Sequence, residues 1–172
     1  MGGERGSRGP APGADTPLRR RLDLREELAL AALPTVTVLV MLAVVEAFSG
    51  QRLLFASLAS SAFLIYLDPH HGMNTARSLV VSHGTAAAAG LVAFRLLGHG
   101  YAAGAIAMVA TILLIVLLDA VHPPAISTSL VFSLRPGAED EVPLFASAVA
   151  IIVLLVALQR VAVWLLARLT RA

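Results

Sequence analysis

Apolar residues along this chain gather in long blocks divided by short polar joints. Blocks of that length predict helices in lipid, where a crossing needs about 20 residues. The first block, 28–48, reads LALAALPTVTVLVMLAVVEAF, with Pro34 near its start and Glu46 near its far end. The second, LLFASLASSAFLIYL at 53–67, reaches only about 22 Å as a helix. That is short of a hydrocarbon core of ~30 Å, so a short or broken span is expected. A third span, 78–97, contains SHGTAAAAG, where Ala86 with Gly90 and Gly84 with Ala88 form small-xxx-small pairs that let another helix approach closely. A fourth runs over 101–121 and a last over 142–166.

Between these two lies DAVHPPAISTSL, residues 119–130. Pro123 and Pro124 have no N–H, and within a helix their rings would clash with the carbonyls of Asp119 and Ala120. His122 precedes a proline and is pushed out of helical geometry. The fourth helix is therefore expected to end near Asp119 to His122. The next residues, 125–134, stay apolar and make about 15 Å of helix, half a bilayer. Arg135-Pro136-Gly137 then ends them with turn chemistry, and Glu139-Asp140-Glu141 belongs in water. A half-helix beginning at Ala125 would offer an anion its first N–H groups, on Ala125, Ile126 and Ser127, and its positive dipole end. Irregular backbone at membrane depth survives only inside protein or beside a wet cavity, so the break is a candidate site. The expected fold is all-α: a polytopic helical membrane protein with about four full transmembrane helices, one or two short or half-membrane segments, and a helix break at His122-Pro123-Pro124.

Composition agrees with this pattern and narrows the function. Of 172 residues only 14% are charged, against about 25% in soluble domains. The absence of cysteine removes disulfides, thiolate metal sites and a cysteine nucleophile. Nothing resembles a Ser-His-Asp set or a phosphate loop, so neither an enzyme with catalytic residues nor a cofactor is expected. The basic side chains are all arginine and form no stripe that would take nucleic acid. Residues 1–27, rich in Gly, Pro and Arg, are expected to be a disordered cytoplasmic tail, with the membrane domain over 28–172. The tail fits neither a cleavable signal peptide nor a myristoylation site, since Gly6 stands where Ser or Thr is needed. Arg19, Arg20, Arg21 and Arg25 put the N-terminus on the cytoplasmic side of the plasma membrane. Trp164 among Arg160, Arg168 and Arg171 reads as an interfacial belt. The side of the C-terminus depends on whether 53–67 and 125–134 cross.

HPPAISTSL resembles the HPPAGATAL context that gives HPP-family membrane proteins their name. Upstream, FASLASSAFLIY is similar to that family's ASxGASAVLLF segment, and ARSLVVSHGTAAAAG to its PRNxxxGHxxSAxxG segment. The three motifs, in order, cover about 55–134, nearly half the chain. Chloroplast and cyanobacterial members are associated with nitrite transport, so the resemblance implies a carrier of a small inorganic anion, nitrite the candidate. His122, Pro123, Pro124, Arg77 and His83 fall on matching positions. Ala59, Ala76, Ser78 and Ser82 replace the family's glycine, proline, asparagine and glycine, and Asp119 stands where an uncharged polar residue is more usual.

The candidate binding set is therefore His122, Pro123, Pro124, Ala125, Ser127 and Thr128, with His83 and Arg77, and Asp119 is the candidate for proton coupling. Each has a structural alternative. His122 caps the fourth helix, His83 serves neighbouring hydroxyls such as Thr85, and Arg77 snorkels to headgroups as a positive-inside anchor. Asp119 pairs with Arg77, His83 or His122. Glu46 reads as interfacial. Ser57, Ser60 and Ser61 share a face at i, i+3, i+4 spacing, either as packing glue or as a polar lining. Adjacent His70 and His71, and His99 between glycines, lack the fixed geometry of a metal site, and no metal is expected. Because so few helices hardly enclose a path, a homo-oligomer in the bilayer is expected. Two further classes stay open: a non-transporting scaffold, and a proton or metal-cation carrier using Asp119, His83 and His122.

Overall fold

The computed structural model describes residues 24–49, 56–134 and 141–169, so most of the expected tail and the 135–140 turn lie outside the described residues. Among the described residues regular structure is entirely helical: α1 (Leu24–Ser49), α2 (Ala56–Leu67), a 3-10 turn (Gly72–Asn74), α3 (Ala76–Leu97), α4 (Tyr101–Leu117), α5 (Ala125–Leu134) and α6 (Glu141–Leu169). About four full spans were expected; two helical stretches among the described residues, Ala76–Leu97 and Phe145–Trp164, are long and apolar enough to cross a membrane. The helices α2, α4 and α5 have 12, 17 and 10 residues, about 18, 26 and 15 Å at the helical rise.

The central helix is α3, packed against α4, α5 and α6. Thr75 starts it, its hydroxyl accepting the Ser78 N–H at 3.2 Å and satisfying one of the free donors of the first turn. Gly98, at φ 74°, ends it, and Gly100, at φ 145°, precedes α4. Two residues in the half of backbone space that only glycine enters freely let the chain reverse over three positions. Gly90 sets a close crossing of α3 and α5. A Cβ placed there would lie 2.5 Å from the Ser129 carbonyl oxygen and 2.6 Å from Phe132 Cβ, so α3 and α5 meet nearly backbone to backbone. Of the two small-residue pairs expected in α3, Ala86 and Gly90 are buried, whereas Ala88 is exposed and nothing approaches Gly84.

The largest apolar cluster joins α1, α2, α3 and α6 through Met41, Leu58, Ile65, Leu79, Ile151 and Leu155. A second holds Ala87, Phe132 and Ala148 of α3, α5 and α6. Helix α4 is inverted relative to a helix in water. Its buried stripe is small or hydroxylated (Ala103, Gly104, Ala107, Thr111) until Ile115 in the last turn, while Ile106, Val109, Leu113, Val116 and Leu117 are exposed. Small residues between helices and large aliphatics outside are what a helix in lipid requires, because lipid tails are as apolar as leucine.

The break after α4 differs in cause from the expectation. The helix stops at Leu117, ahead of the prolines. Asp119 takes the left-handed conformation, φ 48°, with its N–H on Val116 O at 3.1 Å and the Ala120 N–H on Ile115 O at 2.9 Å. Those two bonds are a Schellman motif, in which the residue just past the helix turns left-handed and the last carbonyls are recovered. Ala120 and Ile115, its apolar pair, are both buried. The prolines act one step later: they shape the start of α5, where Ala125, Ile126 and Ser127 donate to the carbonyls of His122, Pro123 and Pro124 at 3.0, 3.1 and 3.2 Å.

Candidate functional site

Two histidines from different parts of the chain meet inside the bundle. His122, fully buried, comes from the break, and His83, 2% exposed, from the second turn of α3; their ring centroids are 5.5 Å apart. The carbonyl of Met73 lies 2.9 Å from His122 Nδ1. A carbonyl only accepts, so this nitrogen carries the hydrogen. In the neutral ring Nε2 is then an acceptor, and the Ser61 hydroxyl donates to it at 3.0 Å. Both nitrogens of His122 are thus used, one tying the break to the loop before α3 and the other to α2.

His83 is bonded on one side only. Its Nδ1 is 2.9 Å from Thr128 Oγ1, and Thr128 Oγ1 lies 3.4 Å from the Ser57 hydroxyl. The other nitrogen, Nε2, is buried without a hydrogen-bond partner among the described residues. The polar centre is therefore a chain, Met73 O, His122, Ser61 on one arm and His83, Thr128, Ser57 on the other, supplied by α2, α3, the break and α5.

Arg77 and Asp119 stand apart from this centre. Arg77 donates from its two terminal nitrogens to Asp119 O at 2.6 Å and Leu118 O at 2.7 Å. It closes the carbonyl end of α4, where a cation also complements the dipole. An ion pair of Asp119 with Arg77, His83 or His122 was expected. Instead the guanidinium meets backbone oxygens and the histidines hold Ser61, Met73 and Thr128, because Asp119 is placed by its left-handed cap geometry. A cleft of about 370 Å³ opens here, lined by His71, Met73, Thr75, Arg77, Ser78, Asp119 and Val121. Met73 belongs to both: its residue lines the cleft and its carbonyl holds His122.

The remaining candidates divide. Pro124 and Ala125 are buried behind His122, Pro123 and Ser127 are exposed, and Thr128 is in the centre. The N–H groups of Ala125, Ile126 and Ser127, expected to be open to an anion, are occupied by the turn carbonyls. A proline-shaped start tightens into i to i−3 bonds, which use the donors a looser first turn would leave free. Ser129 and Ser133 donate to their own helix, as does Ser60. His71 Nδ1 accepts the Met73 N–H as a turn cap, Thr85 bonds back to Val81 and Ser82, and His70 and His99 are exposed. Among the described residues no three His, Asp or Glu side chains gather within reach of one metal ion. The side chain of Glu46 lies outside the described residues. Ser61 emerges as the partner of His122 from the serine face; the Met73 carbonyl had no signal, since a backbone acceptor leaves no mark on residue type.

An inverted outer face on α4, short helices packed by glycine and alanine, and a sealed polar centre together define a polytopic helical membrane protein. Its family follows from the motifs that supply that centre: the chain belongs to the HPP family, whose transmembrane-region model matches residues 20–170. No curated protein and no solved structure matches the chain.

Proposed function

We propose that this protein carries a small inorganic anion across the membrane, with nitrite as the candidate substrate. The observation that carries the reading is the polar centre itself: two buried histidines, joined to three hydroxyl residues of α2 and α5 and, unlike the buried serines that bond back to their own helix, connected across elements. Polar side chains held inside a membrane bundle are costly to bury, and they mark solute or proton paths. The cleft beside Arg77 supplies an approach, since a guanidinium raises the local concentration of anions. His122 stands between cleft-lining Met73 and His83, so the centre is closed in this conformation and has to open during transport.

The substrate contacts His83, whose ring Thr128 holds in place, and the half-helix amides serve the turn instead. Helices α2 and α5 are too short to wall a path in lipid alone, which favours a homo-oligomer. The arginines at 19–25 favour a cytoplasmic N-terminus in the plasma membrane. The cation alternative is weakened by Asp119, which is exposed and serves as a helix-cap residue rather than lying beside the histidines. No enzymatic step is part of this reading.

Uptake of nitrite into liposomes containing the purified protein is the test. Saturable uptake that Thr128→Val abolishes, with the melting temperature of the variant retained, supports the reading. No flux of any small ion above protein-free liposomes would sink it.

A further inference from the structure

The histidine that names the family motif has no capacity left for a ligand. A neutral imidazole offers one donor and one acceptor, and His122 spends both, on Met73 O and on Ser61. A solute that bound the His122 ring would first have to break one of these bonds. The open valence in the polar centre belongs to its neighbour.

His83 Nε2 is buried and unpartnered, while its Nδ1 is fixed by Thr128. Unpaired buried polar atoms are rare, and in native structures each calls for a ligand, a water or a function. Thr128 decides what Nε2 offers. When the Thr128 hydroxyl donates to Nδ1, Nε2 carries the hydrogen and is a donor. When Thr128 accepts instead, Nε2 is an acceptor. In the arrangement where Ser57 donates to Thr128 and Thr128 donates to the ring, Nε2 carries the hydrogen. That sequence, Ser57 to Thr128 to His83, ends in an N–H with no acceptor of its own. Of the polar atoms in this centre, Nε2 is the one in want of an outside acceptor.

Resting on the anion reading above, we propose that His83 Nε2–H is the substrate-binding donor, and that His122 is a positioning residue. His122 fixes α2, the loop before α3 and the break around the ring of His83 without touching the solute. The ligand is a small hydrogen-bond acceptor carrying a single negative charge. One donor at a ring edge suits one oxygen of a compact oxyanion such as nitrite. It does not suit sulfate, whose two charges a single neutral donor leaves largely uncompensated in a buried site.

The test is nitrogen NMR of the ¹⁵N-histidine-labelled full chain in lipid nanodiscs, titrated with sodium nitrite and, separately, sodium sulfate. Comparison with His83→Asn identifies the His83 signals. Asparagine places its amide near the Nδ1 position, so it can keep the Thr128 bond while losing Nε2, and the fold can be checked by its melting temperature. The expected result is a saturable shift of the His83 Nε2 resonance with nitrite and none with sulfate, while the His122 resonances hold their tautomeric pattern. Should His83→Asn fail to fold, Thr128→Ser keeps the hydroxyl and assigns His83 through a small shift of its Nδ1 signal. A nitrite shift confined to His122, or no histidine shift at all, overturns the proposal. Because binding is read without transport, a shifting His83 in a protein that moves no nitrite would leave this site standing and remove the transport reading. Flux with an unmoved His83 would do the reverse.

Discussion

Gly90 is the position where the packing argument is easiest to break. Replacing it with alanine adds one methyl, and that carbon would sit 2.5 Å from a backbone oxygen and 2.6 Å from Phe132 Cβ, both closer than real contacts allow. Neither neighbour is a flexible chain end, so α3 and α5 have to separate. Overpacking of this kind costs about 1–3 kcal/mol. The alanine also returns roughly 0.5–1 kcal/mol by stiffening the unfolded chain and favouring helix. Gly84→Ala makes the same backbone change in the same helix, with nothing within 4 Å of the new carbon. The propensity gain cancels between the two, so Gly90→Ala should be the less stable variant by about 1–3 kcal/mol. Reversible unfolding in mixed micelles, with both variants in the same detergent, measures the difference. Separation at Gly90 should also loosen the His83–Thr128 bond, because Thr128 adjoins Ser129 on α5 and His83 lies two turns back on α3. A Gly90→Ala protein as stable as Gly84→Ala would refute the close crossing.

Other expectations are narrower. Ser61→Ala leaves His122 Nε2 buried without its donor and should cost about 1–3 kcal/mol, whereas Ser60→Ala, which removes a bond within its own helix at an exposed site, should be near neutral in the same unfolding assay. Asp119→Gly and Asp119→Asn should melt with the parent, and Asp119→Val should lose about 1–2 kcal/mol, the penalty of a left-handed residue; nitrite uptake that disappears in Asp119→Asn would restore a coupling role for that carboxylate. Arg77→Ala should lower the melting temperature by uncapping α4, and Arg77→Lys should recover only part of it, since an ammonium does not present the fork that reaches two carbonyls. Full recovery in lysine would reduce Arg77 to a membrane anchor.

The helical membrane class was legible in the blocks of apolar residues, and the family in three ordered motifs, because both depend on residue type alone. The extent of α4 was not, since its end is decided by a left-handed aspartate four residues before the first proline. Asp119 invited an electrostatic reading; its backbone conformation explains it better, and conformation has no composition signal beyond the weak preference of Asp for that region. The pairing of His83 with His122 was out of reach for a related reason. The two lie 39 positions apart in the chain, and what joins them is the glycine crossing of α3 over α5, together with a main-chain carbonyl at Met73. The prolines did mark an irregular site, but their rigidity closes the first turn of α5 on itself rather than opening it to a ligand.

The central claim is that a small anion enters at the cleft and passes the histidine pair. The chain has no cysteine, so Val121→Cys, in the cleft wall, provides one thiol for a bulky maleimide. Nitrite uptake by liposomes containing this variant, measured before and after labelling, tests the route in a single comparison. Uptake near the parent rate before labelling and reduced to the protein-free background after it is the predicted result. Uptake that continues unchanged in fully labelled protein would contradict the account.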